Sequence, residues 1–241
     1  MSNTSSEKPD ASGSPSGQPI VSLLPNLLTI VAGLAAILFI SAGRLDWIQA
    51  WAFSLAFGSF LTFYGLWALR NDPGQLNERS QVGENTKRWD KVILTIYTVL
   101  LFSMLILAGL DAGRFGWAVA PLALQILGWC GAACAGFVIF RTVMVNTFLS
   151  RTVRIQDDRG QRVIDTGPYA RVRHPMYLGI IVLMVSIPVL LGSLWALVPG
   201  GLIGVLFIVR TALEDRTLHQ ELPGYPEYAR RVRYRLLPLV W

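Results

Sequence analysis

The segment of residues 167–179 reads Gly-Pro-Tyr-Ala-Arg-Val-Arg-His-Pro-Met-Tyr-Leu-Gly and concentrates polar side chains beside a long apolar stretch. Its second proline, Pro175, suits the first turn of a helix, because its φ is already fixed and no N–H donor is needed there. His174 would then lie near the N-cap, where unpaired N–H groups and the helix dipole favour anionic groups. Tyr177 would lie within the next turn, and Gly179 would allow close approach of a backbone or a flat ligand. We therefore predict that chemistry takes place at this segment.

Two arginines bring positive charge into the same segment. Arg171 and Arg173 are two residues apart, so their side chains would point to one side of an extended chain and could share one anion. If the chain turns between them, one arginine would face lipid head groups instead. A basic membrane-surface loop, with His174 and Tyr177 as interfacial anchors, is the alternative interpretation of the whole segment.

Acidic residues follow at helical spacing. Arg210 and Glu214 are four residues apart, and Asp215 comes next. One interpretation is an exposed ion pair at a helix end, worth roughly a few tenths of a kcal/mol. The other is a site in which Glu214 binds a cationic or hydroxyl-bearing ligand, because a carboxylate at membrane depth is costly unless it is paired or functional. The sequence leaves both interpretations open.

Aromatic and basic residues occupy the C-terminal end of the chain. Tyr225 and Tyr228 follow a Leu-Pro-Gly turn and would share one face of a short helix at the membrane interface. Arginines at 230, 231, 233 and 235 come after them. Lipid head groups are the expected contacts of these four arginines.

The composition of the chain indicates a polytopic membrane protein. Of its 241 residues, 53% are hydrophobic and 15% charged, against about 25% charged in a typical soluble domain. Apolar blocks lie at 20–42, 47–68, 92–112, 117–140, 176–191 and 195–212, most of them long enough to span a bilayer as a helix. We predict an all-α fold with about six transmembrane helices, the last two forming a hairpin whose first helix is short for a bilayer. A disordered tail (1–19), four transmembrane helices (20–140) and a catalytic region with a C-terminal helical segment (141–241) would follow one another.

The basic residues predict the orientation. Of the 21 Lys and Arg residues, only Arg44 and Arg114 fall on the outer side of a six-helix arrangement with the N-terminus inside. Basic residues resist translocation, so both termini should be cytoplasmic, with the charges against anionic lipids. The net charge of +6 does not indicate nucleic acid as a partner, because no soluble segment is large enough for a nucleic-acid-binding domain. The scarcity of lysine and the compact chain favour a bacterial inner membrane.

Several kinds of site have no signature in the sequence. No GxGxxG motif follows a strand pattern, and the chain has no Walker motif and no nucleophilic serine elbow. Cys130 and Cys134 lie in an apolar run without a histidine or carboxylate, so we interpret them as helix-packing residues. His174 and His219 are the only histidines, and no metal centre is expected.

The two polar regions resemble the isoprenylcysteine carboxyl methyltransferase family and its phospholipid N-methyltransferase relatives. The matching residues are Gly167-Pro168-Tyr169, Val172-Arg173-His174-Pro175-Met176-Tyr177-Leu178-Gly179, Glu214-Asp215, Leu218, Tyr225, Tyr228 and Val232, within roughly residues 140–241. The chain departs from the family pattern at Asp215, where a glutamate is usual. It also departs before Tyr225, where Leu-Pro-Gly stands in place of an aromatic-glycine turn.

The resemblance implies an S-adenosylmethionine-dependent methyltransferase with its cofactor between the last helical hairpin and the C-terminal segment. The implied cofactor-binding residues are Tyr169, Val172, His174, Pro175, Tyr177, Gly179, Glu214 and Tyr225. The implied catalytic residues are Glu214 and two arginines, Arg173 and Arg210, which would orient an anionic acceptor. The acceptor would be lipophilic and would reach the site from the bilayer. It would present the carboxylate of a prenylcysteine-like or isoprenoid compound, or a lipid amine or thiol.

The expected chemistry suits residues of this kind. Methyl transfer from a sulfonium is an in-line displacement, which needs positioning and electrostatics rather than a metal or a covalent nucleophile. A carboxylate acceptor is ionised at neutral pH and needs no base, whereas an amine or thiol would use Glu214, His174 or a tyrosine.

Two other functions stay open. One is an NADPH-dependent membrane reductase, because sterol reductases carry a similar His-Pro-x-Tyr string; the acidic pair and spaced tyrosines argue against it. The other is a non-catalytic membrane protein. Transport would need ionisable residues within the spans, and Asp46, Asp90 and Asp111 lie at their edges.

Overall fold

The computed structural model describes residues 19–74, 86–156 and 159–241. Apart from its last residue, Pro19, the predicted disordered tail lies outside the described residues. Within the described ranges the fold is all-α, as predicted. The helices are α1 (Pro19–Ala42), α2 (Ile48–Asn71), α3 (Arg88–Ala108, continued by a π-helix at Gly109–Phe115), α4 (Leu122–Val145), α5 (Pro175–Leu190), α6 (Leu197–Glu221) and α7 (Tyr225–Arg231), with a short 3-10 helix at Gly167–Ala170.

The lengths and surfaces of these helices are those of a multi-pass membrane protein. Helices α1, α2, α3 with its π-helical end, α4 and α6 are long and apolar enough to cross a bilayer. Large apolar side chains such as Leu55, Val99 and Leu127 point outward, where lipid would cover them. Helix α5 has 16 residues, about 24 Å at 1.5 Å per residue, which is less than the roughly 30 Å of the hydrocarbon core. The prediction that this helix is short for a bilayer is confirmed.

Helices α4 and α6 differ most from their predicted boundaries. The helix predicted from 117 begins at Leu122, because the chain before it is extended and pairs with the turn between α5 and α6. The Ala120 N–H donates to the Gly192 carbonyl at 2.8 Å, and the Leu194 N–H donates to the Ala118 carbonyl at 3.0 Å. Helix α6 continues beyond residue 212 to Glu221, because charged residues in this stretch find partners on a buried face.

A buried carboxylate fastens one end of the helical bundle. Asp111, in the π-helix, has no exposed surface. It accepts hydrogen bonds from the Ser193 hydroxyl at 2.6 Å and from the N–H groups of Ala118 at 2.7 Å and Trp195 at 3.2 Å. The turn between α5 and α6 is therefore fixed to the C-terminal end of α3. The C-terminal end of the short helix α5 thus lies beside the C-terminal end of α3.

The main hydrophobic core lies between α1, α2, α3, α5 and α6. Leu38, Met104 and Ile203 are completely buried there. The same cluster extends to Tyr177 and Phe207, whose ring centres are 5.4 Å apart in an edge-to-face arrangement. Core packing thus sets the relative position of α5 and α6, the two helices that carry the sequence motifs.

Helices α4 and α5 approach each other closely where glycines leave room. A Cβ atom on Gly128 would lie 2.6 Å from the backbone nitrogen of Leu190. A Cβ atom on Gly179 would lie 2.6 Å from Cγ1 of Ile139 and 3.3 Å from the Ala135 carbonyl oxygen. Of the two uses predicted for Gly179, the structure gives it close approach to another helix.

We expect Gly128→Ala to destabilise the protein, although alanine favours a helix over glycine by about 1 kcal/mol. The added methyl group would meet the Leu190 backbone, which cannot yield without moving α5. Thermal unfolding in detergent should show Tm lower by roughly 3 °C or more. The control is Gly33→Ala, where no atom lies within 4 Å of the new Cβ and Tm should hold or rise. Equal changes in the two variants would contradict this packing of α4 on α5.

Candidate functional site

A second buried carboxylate, Asp215 on α6, lies at the centre of the polar region and is 1% exposed. Its Oδ1 accepts hydrogen bonds from Arg173 Nε at 2.9 Å and from the Tyr225 hydroxyl at 2.8 Å. Its Oδ2 accepts from Arg235 Nε at 2.8 Å and from Arg173 Nη2 at 3.2 Å. The N-terminal approach to α5, helix α6, helix α7 and the C-terminal segment therefore converge on one side chain.

Arg173 extends this connection to the backbone of the C-terminal segment. Its Nη1 donates to the carbonyl groups of Ala229, Val232 and Arg233 at 3.1–3.3 Å. Together with the bonds to Asp215, these contacts occupy the guanidinium with protein partners. Arg173 lines the cavity described below, so its predicted part in orienting an acceptor stays a prediction beside this structural role.

The two arginines of the 167–179 segment do not share an anion. Arg173 is buried while Arg171 is exposed. Arg171 has helical backbone angles, φ −112° and ψ −42°, so the chain turns there rather than continuing extended. Of the two arrangements considered for these arginines, the structure therefore shows the one in which the chain turns between them.

His174 is the N-cap residue of α5 and is followed by Pro175 at the first helical position, as predicted. The imidazole is 6% exposed and lies between two acidic side chains. Its Nε2 is 3.3 Å from Asp215 Oδ1, and its Nδ1 is 3.9 Å from Glu214 Oε1. The ring is parallel to that of Tyr177, with 5.8 Å between the centres. His174 thus joins the structural carboxylate to the acidic residue on the cavity wall.

Glu214 is the acidic side chain that remains accessible. It is 21% exposed, lines the cavity and accepts a hydrogen bond from the Tyr177 hydroxyl. The carboxylate is therefore positioned by α5 while part of its surface faces open space. This placement suits a side chain that binds a cationic or hydroxyl-bearing group.

Arg210 does not form the local ion pair with Glu214 that its spacing suggested. Its Nε and Nη2 bond to Asp90 of α3 at 2.8 and 3.2 Å, and Nη2 also donates to the Arg151 carbonyl at 3.0 Å. The guanidinium carbon lies 5.2 Å from the centre of the Tyr177 ring. Arg210 is absent from the cavity wall, so its predicted contact with an acceptor has no counterpart in the geometry.

The cavity has a volume of about 840 Å³, counting space open to solvent. Its wall includes six residues predicted to act in the site: Tyr169, Arg173, His174, Tyr177, Glu214 and Tyr225. Four other predicted residues do not contribute: Arg210 pairs with Asp90, Val172 and Pro175 are buried, and Gly179 faces α4. The hydrophobic part of the wall includes Val153, Val163, Met176, Leu218 and Leu222.

Much of the opposite wall comes from the segment after α4, which no motif indicated. Asn146 Nδ2 donates to the Tyr169 hydroxyl at 2.8 Å, and Gln156 Nε2 donates to the Phe148 carbonyl at 2.6 Å. The Val153 N–H donates to Asp90 at 2.8 Å. The polar residues between α4 and the 167–179 segment were the only sequence feature that could have indicated this part of the wall. Their bonding partners are distant in sequence, so the pattern could not show where they lie.

Burial controls the ionisation of the two tyrosines of α7. Desolvation, reinforced by the nearby negative charge of Asp215, raises the pKa of Tyr225 well above its usual value. Desolvation also raises the pKa of Tyr228, whose hydroxyl donates to the Tyr169 carbonyl at 2.8 Å. Both phenols therefore stay protonated at neutral pH and act as hydrogen-bond donors, so neither is suited to be a base.

The arginines after α7 do not all face lipid. Arg235 bonds to Asp215 and stacks over Trp241, with 4.9 Å from the guanidinium carbon to the ring centre. Arg231 bonds to Asp165 at 2.8 Å, and Arg230 lies 3.9 Å from Glu227 at the surface. The expectation of head-group contacts therefore fails for Arg235, which belongs to the site.

Comparison with known proteins supports the family assigned from the motifs. Residues 127–220 match the model of the isoprenylcysteine carboxyl methyltransferase (ICMT) family. This region includes α5, nearly all of α6 and most of the cavity wall, and ends before Tyr225. No curated protein matches the chain. The family match supports a methyltransferase embedded in the membrane.

Asp215→Asn should destabilise the region around the cavity by about 3 kcal/mol or more, because removing one charge of a buried network leaves its partners uncompensated. Arg173 and Arg235 would both lose their anion. The control is Asp165→Asn, which breaks the exposed pair with Arg231 and should cost less than about 1 kcal/mol. Denaturant unfolding in detergent measures both. Similar losses would show that Asp215 is not the central contact.

Proposed function

We propose that the chain is an S-adenosylmethionine-dependent methyltransferase acting on a lipophilic acceptor, and the match of residues 127–220 to the ICMT family model supports this proposal. The observation that carries the proposal is the cavity on which both sequence motifs converge, with His174, Tyr177 and Glu214 on one wall.

The side chains of the cavity fit the groups of this cofactor. Tyr169, Phe148 and Tyr225 present aromatic surface suited to a purine ring. The Glu214 carboxylate suits a positively charged ammonium or sulfonium group. Arg162, exposed on the wall, suits a carboxylate. The donor set therefore matches a ligand that combines an aromatic ring, cationic centres and one anionic end.

Positioning is the main task of the protein in this reaction. When bound, S-adenosylmethionine supplies a methyl group on a positively charged sulfur. The residues of the chain hold the reactants in line and separate them from bulk water, which accounts for much of the rate of such transfers. Glu214 is held by Tyr177, and the Asp215 network holds His174, so both side chains are preorganised before any ligand arrives.

The nature of the acceptor decides whether a base is needed. A carboxylate acceptor, as in a prenylcysteine-like or isoprenoid compound, is already ionised. A lipid amine or thiol would give its proton to Glu214 or His174, since the α7 tyrosines stay protonated. The apolar wall residues Met176, Leu218 and Leu222 favour a lipophilic molecule in either case.

We also propose that the cavity opens toward the cytoplasm. The predicted excess of basic residues lies on the side of the cavity, where Arg154 and Arg162 are part of the wall. Both termini would then be cytoplasmic, in a bacterial inner membrane. Reporter fusions at each terminus test this orientation, and periplasmic activity from a C-terminal fusion would contradict it.

Calorimetry with detergent-purified protein tests the cofactor. We expect saturable binding of S-adenosylmethionine and no binding of NADPH. Glu214→Ala should weaken binding of S-adenosylmethionine at least about tenfold, since charge-assisted hydrogen bonds contribute roughly 1.5–3 kcal/mol. His174→Ala should also abolish or strongly weaken it, because this ring contacts both acidic side chains.

The matched control is Arg230→Ala, at an exposed residue outside the cavity wall. This variant should bind the cofactor as the wild type does. Unchanged affinity in both Glu214→Ala and His174→Ala would refute the site. Binding of NADPH instead would indicate a reductase, and binding of neither ligand would favour a non-catalytic membrane protein.

A further inference from the structure

Arg210 lies between two carboxylates and pairs with the one that is distant in sequence. The guanidinium is 4% exposed, and its two bonds to Asp90, at 2.8 and 3.2 Å, join α6 to the first turn of α3. Glu214 is four residues further along the same helix, the spacing at which Arg and Glu readily pair. It bonds instead to the Tyr177 hydroxyl.

Asp90 holds this arrangement through several contacts. It has no exposed surface and accepts a third hydrogen bond, from the Val153 N–H at 2.8 Å. Arg210 is held on the same side by the Arg151 carbonyl at 3.0 Å. The Tyr177 ring lies against the guanidinium, 5.2 Å from its carbon atom, and the hydroxyl of this ring reaches Glu214. Arg210 thus pairs with Asp90, whereas Glu214 accepts its hydrogen bond from Tyr177.

We propose that Asp90 is a positioning residue that keeps Arg210 away from Glu214 and so leaves the Glu214 carboxylate available to the cavity. The inference rests on the proposed function, in which Glu214 binds a cationic part of the cofactor. A buried guanidinium strongly favours an anionic partner. Without the charge of Asp90, Glu214 is the carboxylate at pairing distance along α6, and its capture by Arg210 would remove it from Tyr177 and from the ligand.

Affinity for S-adenosylmethionine, measured by calorimetry on the full chain in detergent, tests this role. Asp90→Asn should bind about tenfold more weakly than the wild type. The double variant Asp90→Asn with Arg210→Met should bind within about threefold of it, because both buried charges are removed together and no cation is left to capture Glu214. Wild-type affinity in Asp90→Asn, or a double variant as weak as Asp90→Asn, would overturn the proposal.

Lys87→Gln is the matched control. It tests whether weakening any contact between α3 and α6 is enough to lower the affinity. Lys87 precedes α3 and pairs with Glu221, near the end of α6, at 2.7 Å. Among the described residues, its side-chain hydrogen bonds go to Glu221 alone, and its backbone N–H, which the substitution keeps, donates to the Val153 carbonyl of the cavity wall at 3.3 Å. This variant should keep its affinity within about twofold. A tenfold loss would show that any break between these helices disturbs the site, and the specific role of Asp90 would be refuted.

A stability measurement tests the same pairing without a cofactor. Glu214→Gln should lower Tm in the Asp90→Asn background by at least about 3 °C more than in the wild type, because it removes the new partner of Arg210. Equal decreases would overturn the proposal. So would a failure of Asp90→Asn to fold, since Arg210 would then have found no new partner. Absence of cofactor binding by the wild type would refute the proposed function alone, and the Tm comparison would still decide the role of Asp90.

Discussion

The polar end of this protein depends on the need to compensate carboxylates that are removed from water. Asp215 is buried within a polypeptide whose surroundings are mostly apolar, and an uncompensated charge there would be very costly. Two arginines and a tyrosine satisfy it, and each comes from a different part of the chain. Meeting this one requirement brings the approach to α5, helix α6, helix α7 and the C-terminal segment together, and the cavity forms between them and the segment after α4.

Two other buried aspartates, each with its own hydrogen-bond donors, fix the position of α3 in the same way. Asp90 ties the start of α3 to α6 and to the wall segment after α4. Asp111 ties the other end of α3 to the turn between α5 and α6. Between these two aspartates α3 is anchored to the hairpin at both ends. Helix association in a membrane gains little from the hydrophobic effect, so such polar contacts are well suited to fix the position of the hairpin that carries the two sequence motifs.

Local patterns in the sequence predicted the positions of the helices better than they predicted which charged side chains pair with each other. Helical lengths followed from apolar runs, and the N-cap position of His174 followed from the proline after it. The pairing of Arg210 with Asp90 joins residues 120 positions apart, and helical spacing favoured Glu214 instead. The bond from Arg173 to Asp215 spans 42 positions. The spacing of residues within one helix carries no information about ion pairs between distant parts of the chain, because such pairs depend on which helices pack together.

The distribution of charge explains why one acidic residue in this region can serve a ligand. Asp215 and Asp90 are satisfied by arginines, and those arginines are in turn occupied by the two aspartates and by backbone carbonyl groups. Glu214 receives a neutral donor, the Tyr177 hydroxyl, which orients the carboxylate without cancelling its charge. A positively charged ligand entering the cavity would therefore meet a carboxylate whose hydrogen-bond donor is neutral, in a partly desolvated wall where electrostatic attraction is stronger than in water. The buried ion pairs thus keep the cations of the protein away from the residue proposed to bind a cationic cofactor.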